Sequence, residues 1–162
     1  MNWRHVWYDF QVWRVLTSLF YLEVSFYAIF LAILLYRFSR DVEDFVFANR
    51  SADYAWFLIF AAFCMIAMQA VRPAYLYYEG VIVAISYLWS RYFSTQSVSF
   101  VFGIQVPGIY LPYALIILFF VAKNGAVPVG ATQGFISGFV YYYLKHEYPA
   151  QGGVDYLETP AL

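Results

Sequence analysis

Charged side chains in this chain fall almost entirely in the gaps between apolar runs. Hydrophobic residues make up 64% of the 162 positions and charged residues 12%. A water-soluble globule of that size would lack the polar surface to cover its core. Lipid accepts apolar side chains, provided that helices satisfy the backbone internally. A spanning helix needs roughly 20 mostly apolar residues. Five runs are candidates: residues 15–36, 54–71, 74–89, 110–122 and 126–144. The expected architecture is an all-α polytopic membrane protein of about five transmembrane helices, with an interfacial segment at the N-terminus. It forms a single domain over residues 1–162, divided into the interfacial segment (1–22), the bundle (15–144) and a short tail (145–162).

The third and fourth runs are short, and Pro112 falls early in the fourth. Short spans require a thinned bilayer, tilt with help from flanking anchors, or shielding by protein. Net charge is −1, so no basic surface invites nucleic acid. The single cysteine, Cys64, lies inside an apolar run, which rules out an intrachain disulfide and a cysteine zinc site. Residues 1–10 carry Arg4, His5 and Asp9 among aromatics, unlike the apolar core of a cleavable signal. The 17 Tyr and 17 Phe suit headgroup depth, where a ring with a polar tip is favoured.

Along the chain, residues 1–22 mix Trp3, Trp7 and Trp13 with Arg4 and Arg14, as expected of a segment lying in the interface. Residues 37–53 read as the most polar loop. Arg72-Pro73 breaks the path between the second and third runs, because proline lacks the amide hydrogen of a continuing helix. Residues 90–108 form a linker whose Val98-Ser99-Phe100 stretch suits a short strand or an interfacial loop. Lys123-Asn124-Gly125 predicts a tight turn that makes the fourth and fifth spans antiparallel neighbours. Arg37, Arg40 and Arg50 share one loop, which favours the cytosolic side for it, for the 90–108 linker and for the C-terminus. Arg4 and Arg14 on the opposite side weigh against that orientation.

Several features invite a functional reading. Ala126, Gly130, Gly134 and Gly138 recur every four residues, a stripe that lets another backbone approach closely, within the bundle or at a dimer face. Glu23, Glu79 and Gln133 fall within or beside apolar runs; they either sit near helix ends at headgroup depth or line a hydrated cavity. Gln133 also suits a hydrogen bond across helices. Trp13-Arg14 pairs an interfacial anchor with a cation whose stem tolerates apolar surroundings. Catalysis is hard to build. The two histidines, His5 and His146, lie outside every apolar run, and neither Ser86 nor Ser137 has the glycine framework of a nucleophile motif. Metal spacing and a phosphate loop are absent, so no cofactor is expected; Lys123 and Lys145 read as anchors.

Taken in order, these residues resemble the Derlin family, rhomboid-like pseudoproteases of the endoplasmic reticulum. The resemblance runs from about Phe10 to Pro160. Gln11-Val12-Trp13-Arg14 with Thr17 is similar to the family's Trp-Arg motif in its first luminal loop. Ser39, Glu43, Phe47, Arg50 and Ala52-Asp53-Tyr54 resemble the next loop. Tyr87-Leu88-Trp89, Val98-Ser99-Phe100 with Phe102-Gly103, and Tyr110-Leu111-Pro112 resemble the middle section. Gly134 and Gly138 resemble the Gly-x-x-x-Gly of the last span, followed by Tyr148-Pro149, Gly152-Gly153 and Thr159-Pro160. The family has six spans, and the sequence aligns from just before the second. Phe139 stands where animal relatives often carry His, and the chain ends at Leu162 without the extended tail by which some relatives recruit a cytosolic segregase ATPase.

The resemblance implies a rhomboid-like helical bundle in the endoplasmic reticulum membrane. It implies a non-catalytic role in endoplasmic-reticulum-associated degradation, beside a membrane E3 ubiquitin ligase complex. Misfolded proteins are the expected clients, and contact with the AAA segregase is expected to be indirect. A homo- or hetero-oligomer is also expected. Local bilayer thinning and a lateral gate between residues 15–36 and 110–122 would assist retrotranslocation. The alternatives are an active rhomboid-type serine protease, a small transporter or channel built on Glu23 and Glu79, and an inactive fragment.

Overall fold

The computed structural model describes residues 26–47, 50–69, 78–99, 103, 105–150 and 152. Trp13, Arg14, Glu23 and the Arg72-Pro73 break lie outside the described residues. The described helices are α1 (Phe26–Asp41), α2 (Ser51–Gln69), α3 (Tyr78–Tyr92), α4 (Leu111–Ala122), α5 (Val129–Tyr142) and the single turn α6 (Tyr148–Ala150). Wider π-helical turns follow α1 (Val42–Val46) and α5 (Tyr143–Glu147).

Helix α3 is the centre. From Ile82 to Ser90 every residue is buried, and α1, α2, α4 and α5 all pack on it. A helix buried on every side has no polar face to show. The surrounding helices bury one stripe each: Leu31, Leu34 and Phe38 on α1; Tyr54, Phe57, Ala61 and Met65 on α2; Leu111, Leu115 and Phe119 on α4. These spacings of three and four residues are the helical repeat. Their outer faces are apolar too: Ile29 and Ile33 on α1, Ile59 and Phe63 on α2, and Ile117 and Val121 on α4 are exposed. Among the described residues only Ser51–Met68 is both long and apolar enough to cross a bilayer by that measure alone, while Gly108–Ala122 is apolar but shorter.

Several expected boundaries are corrected. Residues 37–46, read as loop, are helical. Their charges pair along the helix, Arg40 with Asp44 at 3.5 Å, so polarity at this depth does not interrupt the backbone. The Trp89 indole N–H donates to Asp41 at 3.0 Å and ties α1 to α3. The third run extends to Tyr92 rather than stopping at Trp89. Pro112 does not interrupt the fourth run. It sits in the first turn of α4, where its missing N–H is one that no helix bonds anyway. Ala126 precedes α5 and is exposed, so the small-residue stripe starts at Gly130. The linker holds a strand pair, β1 (Ser97–Ser99) against β2 (Gln105–Pro107), antiparallel with Val98 opposite Val106. The turn between α4 and α5 takes left-handed backbone at Asn124 (φ 53°) and Gly125 (φ 85°), and the two helices pack as neighbours.

The α3–α5 contact runs backbone against backbone. A Cβ on Gly134 would collide with the main chain of Gly80, one on Gly80 would lie 2.7 Å from the Gly130 carbonyl, and one on Gly138 would lie 3.1 Å from that of Ala84. The two α5 glycines therefore differ. Gly134→Ala is expected to cost about 3 kcal/mol through overpacking against main chain that cannot yield. Gly138→Ala needs shifts of only tenths of an ångström, and alanine's helix propensity offsets roughly 1 kcal/mol of the cost. Thermal unfolding in detergent should rank Gly134→Ala far below Gly138→Ala; equal losses would contradict the packing described.

Candidate functional site

The two ends of the bundle differ in charge. One end gathers Arg37, Arg40, Asp41, Glu43, Asp44, Arg50, Asp53, Arg91, Lys145 and Glu147, on the segments where α1, α3 and α5 finish and α2 and α4 begin. At the other, the described charged residues are Glu79, at the start of α3, and Lys123, at the end of α4.

Those two meet. The Lys123 ammonium donates to Glu79 Oε2 at 2.8 Å, with the Glu79 side chain 2% exposed and that of Lys123 30%. Local structure favours both charges, a carboxylate in the first turn of α3 and a cation at the C-cap of α4. This corrects the reading of Lys123 as a surface anchor: it turns inward because a buried carboxylate without a counter-charge would be costly. The sequence held a usable signal, since antiparallel third and fourth runs bring the start of one and the end of the other to the same membrane side.

Gly80, Gly130 and Gly134 lie beside this pair, and Gln133 is buried on the same helix. The structure thus brings together Glu79, Gln133, Gly130 and Gly134 near one end of the α3–α5 seam, with Gly138 one turn further along it. The buried serines sit along this seam with their hydroxyls engaged. Ser86 donates to the Ile82 carbonyl at 2.6 Å and Ser137 to that of Gly134 at 2.8 Å. The described histidine, His146, lies at the charged end, where it contacts the Tyr92 hydroxyl. Phe139 is partly exposed and touches the Tyr87 ring, 6.2 Å between centroids. Among the described residues no cluster of His, Cys, Asp and Glu could hold a metal.

The fold is a helical membrane bundle, and comparison with known proteins places it. The Der1-like family model matches residues 1–161, and the chain belongs to that family. It is 31% identical to Derlin-1 of Caenorhabditis elegans over 99% of this chain and 66% of that protein. It is 32% identical to Derlin-1 of Homo sapiens over 94% of this chain and 62% of that protein. Derlin-1 of Oryza sativa subsp. japonica is 30% identical over 93% and 63% respectively. The chain spans about six-tenths of the length of these relatives.

Lys123→Met should destabilise the protein by roughly 3 kcal/mol, the low end for breaking a buried pair, because Lys123 keeps some contact with solvent. Adding Glu79→Gln should restore most of that loss. Denaturation of the single and double variants in micelles checks this, and a single variant as stable as wild type would remove the pair from the account.

Proposed function

We propose that this protein is a non-catalytic, multi-pass component of the endoplasmic reticulum membrane that assists the return of misfolded proteins to the cytosol for degradation. Membership of the Der1-like family supports the setting. The physical observation that carries the mechanism is helix length. The apolar helical stretch Gly108–Ala122, α4 with the 3₁₀ turn that opens it, rises roughly 24 Å, against a hydrocarbon core of about 30 Å. Lipid around so short a stretch thins to meet it. A polypeptide crossing there meets a smaller barrier to its polar backbone.

A lateral gate between α1 and α4 completes the reading. Both helices pack on α3, which therefore forms the back wall of such a gate. Trp13 and Arg14 would hold the luminal loop in the membrane surface and disturb lipid there. A membrane E3 ligase complex would receive the client, the cytosolic segregase ATPase would act through other subunits, and homo- or hetero-oligomers would widen the thinned area. The protease alternative gains nothing from Ser86 and Ser137, whose hydroxyls are spent on carbonyls of their own helices. A channel centred on Glu79 would have to break the ion pair with Lys123 first.

Expression in cells lacking their own Derlin should shorten the half-life of a misfolded luminal client at least twofold. Failure to do so at normal expression would overturn the assignment. Replacing Trp13 and Arg14 with Ala should leave protein levels intact and slow client turnover; unchanged turnover would remove the role given to that motif.

A further inference from the structure

A cavity of about 370 Å³ opens at the charged end, where α3 finishes and α4 begins. Its wall includes Tyr87, Arg91, Ile109, Tyr110 and Tyr113. The Arg91 guanidinium is held in place by aromatic groups. It packs against the rings of Tyr87 (5.5 Å) and Tyr142 (5.1 Å), and its Nε donates to the Tyr87 hydroxyl at 3.2 Å. Such contacts orient a cation without neutralising it. Arg40 and Arg50 pair with Asp44 and Asp53, but among the described residues no carboxylate lies within 4.0 Å of Arg91. Glu147 acts on it only from farther off. Tyr110 and Tyr113, 60% and 51% exposed, line the same opening.

The polarity changes with depth. Moving from Arg91 towards the middle of the bundle, Tyr87 touches Phe139 and then Phe135, and Phe135 also touches Tyr113. Phe139 and Ile136 are exposed along this track. A fixed cation with tyrosines at the membrane surface therefore leads into an apolar strip at acyl-chain depth. Guanidinium is well suited to phosphate oxygens, and tyrosine rings to the headgroup boundary.

We propose that this cavity binds one anionic glycerophospholipid. Arg91 and the Tyr110 and Tyr113 hydroxyls hold its phosphate, and an acyl chain lies against Phe139 and Phe135. The site is at the opposite end of the bundle from Glu79 and Lys123 and stands independently of any role in client export.

Phosphatidylglycerol is a suitable probe, since its net charge is the phosphate alone. Titrated into the full chain in neutral detergent and followed by native mass spectrometry, it should add one lipid per chain. Arg91→Gln should weaken that binding by about fivefold, the equivalent of the roughly 1 kcal/mol expected of one basic residue at an anionic surface. Tyr110→Glu, at an exposed position that supports no core contact, should weaken it at least as much with an unchanged melting temperature. Full binding by either variant would overturn the proposal. Diacylglycerol, which lacks the phosphate, should not occupy the site, and equal binding by it would remove the phosphate from the argument. Millimolar inorganic phosphate should not displace the lipid; displacement would assign the site to a free anion and sink the lipid reading.

Discussion

The close approach of α3 and α5 at Gly80, Gly130 and Gly134 is the contact on which the rest of the bundle depends. In lipid, helices gain nothing by hiding apolar surface from their solvent, which is equally apolar. Association rests on packing and polar contacts instead. Glycine lets two backbones come near enough for that packing to matter. Because α3 also carries α1, α2 and α4, any shift of α3 relative to α5 would reposition every other helix.

The outer surface follows from the same solvent. The helices present Ile33, Ile59, Phe63, Ile117 and Val121 outward while burying similar residues inward. In water such faces would be an aggregation hazard. In a bilayer they cost nothing, and the distinction between inside and outside passes from hydrophobicity to residue size and shape. On α5 the buried set is mainly small, Gly130, Ala131, Gly134, Ser137 and Gly138 beside Gln133 and Tyr141, while Ile136 and Phe139 are exposed.

Much of this was legible in the sequence. The second to fifth apolar runs matched α2–α5 to within a few residues, and the four-residue glycine repeat pointed to the tightest seam. The Lys123-Asn124-Gly125 turn followed from a glycine able to take positive φ. What escaped detection depended on partners distant in sequence. Lys123 looked like an anchor because its buried partner, Glu79, is 44 residues away. The setting of Arg91 is assembled from α3, α4, α5 and the 3₁₀ turn Gly108–Tyr110, which its neighbours in sequence do not reveal. The helical course of residues 37–46 was hidden by charges that composition alone assigns to loops. Pro112 misled for a related reason: its effect depends on whether it opens a helix or sits inside one.

The two π-helical turns have a further consequence. Val42–Val46 and Tyr143–Glu147 come together at one end, where Val46 and Phe47 share a cleft with Lys145 and His146. Each turn accommodates an additional residue relative to α-helical winding, which rotates everything beyond it by about 100°. Phe45 is largely exposed and meets Phe93 edge to face, whereas Phe47, two positions on, lies in tilted contact with Tyr54 and Phe57. The widened turns are thus where α1 and α5 change their winding as they leave the bundle at its charged end.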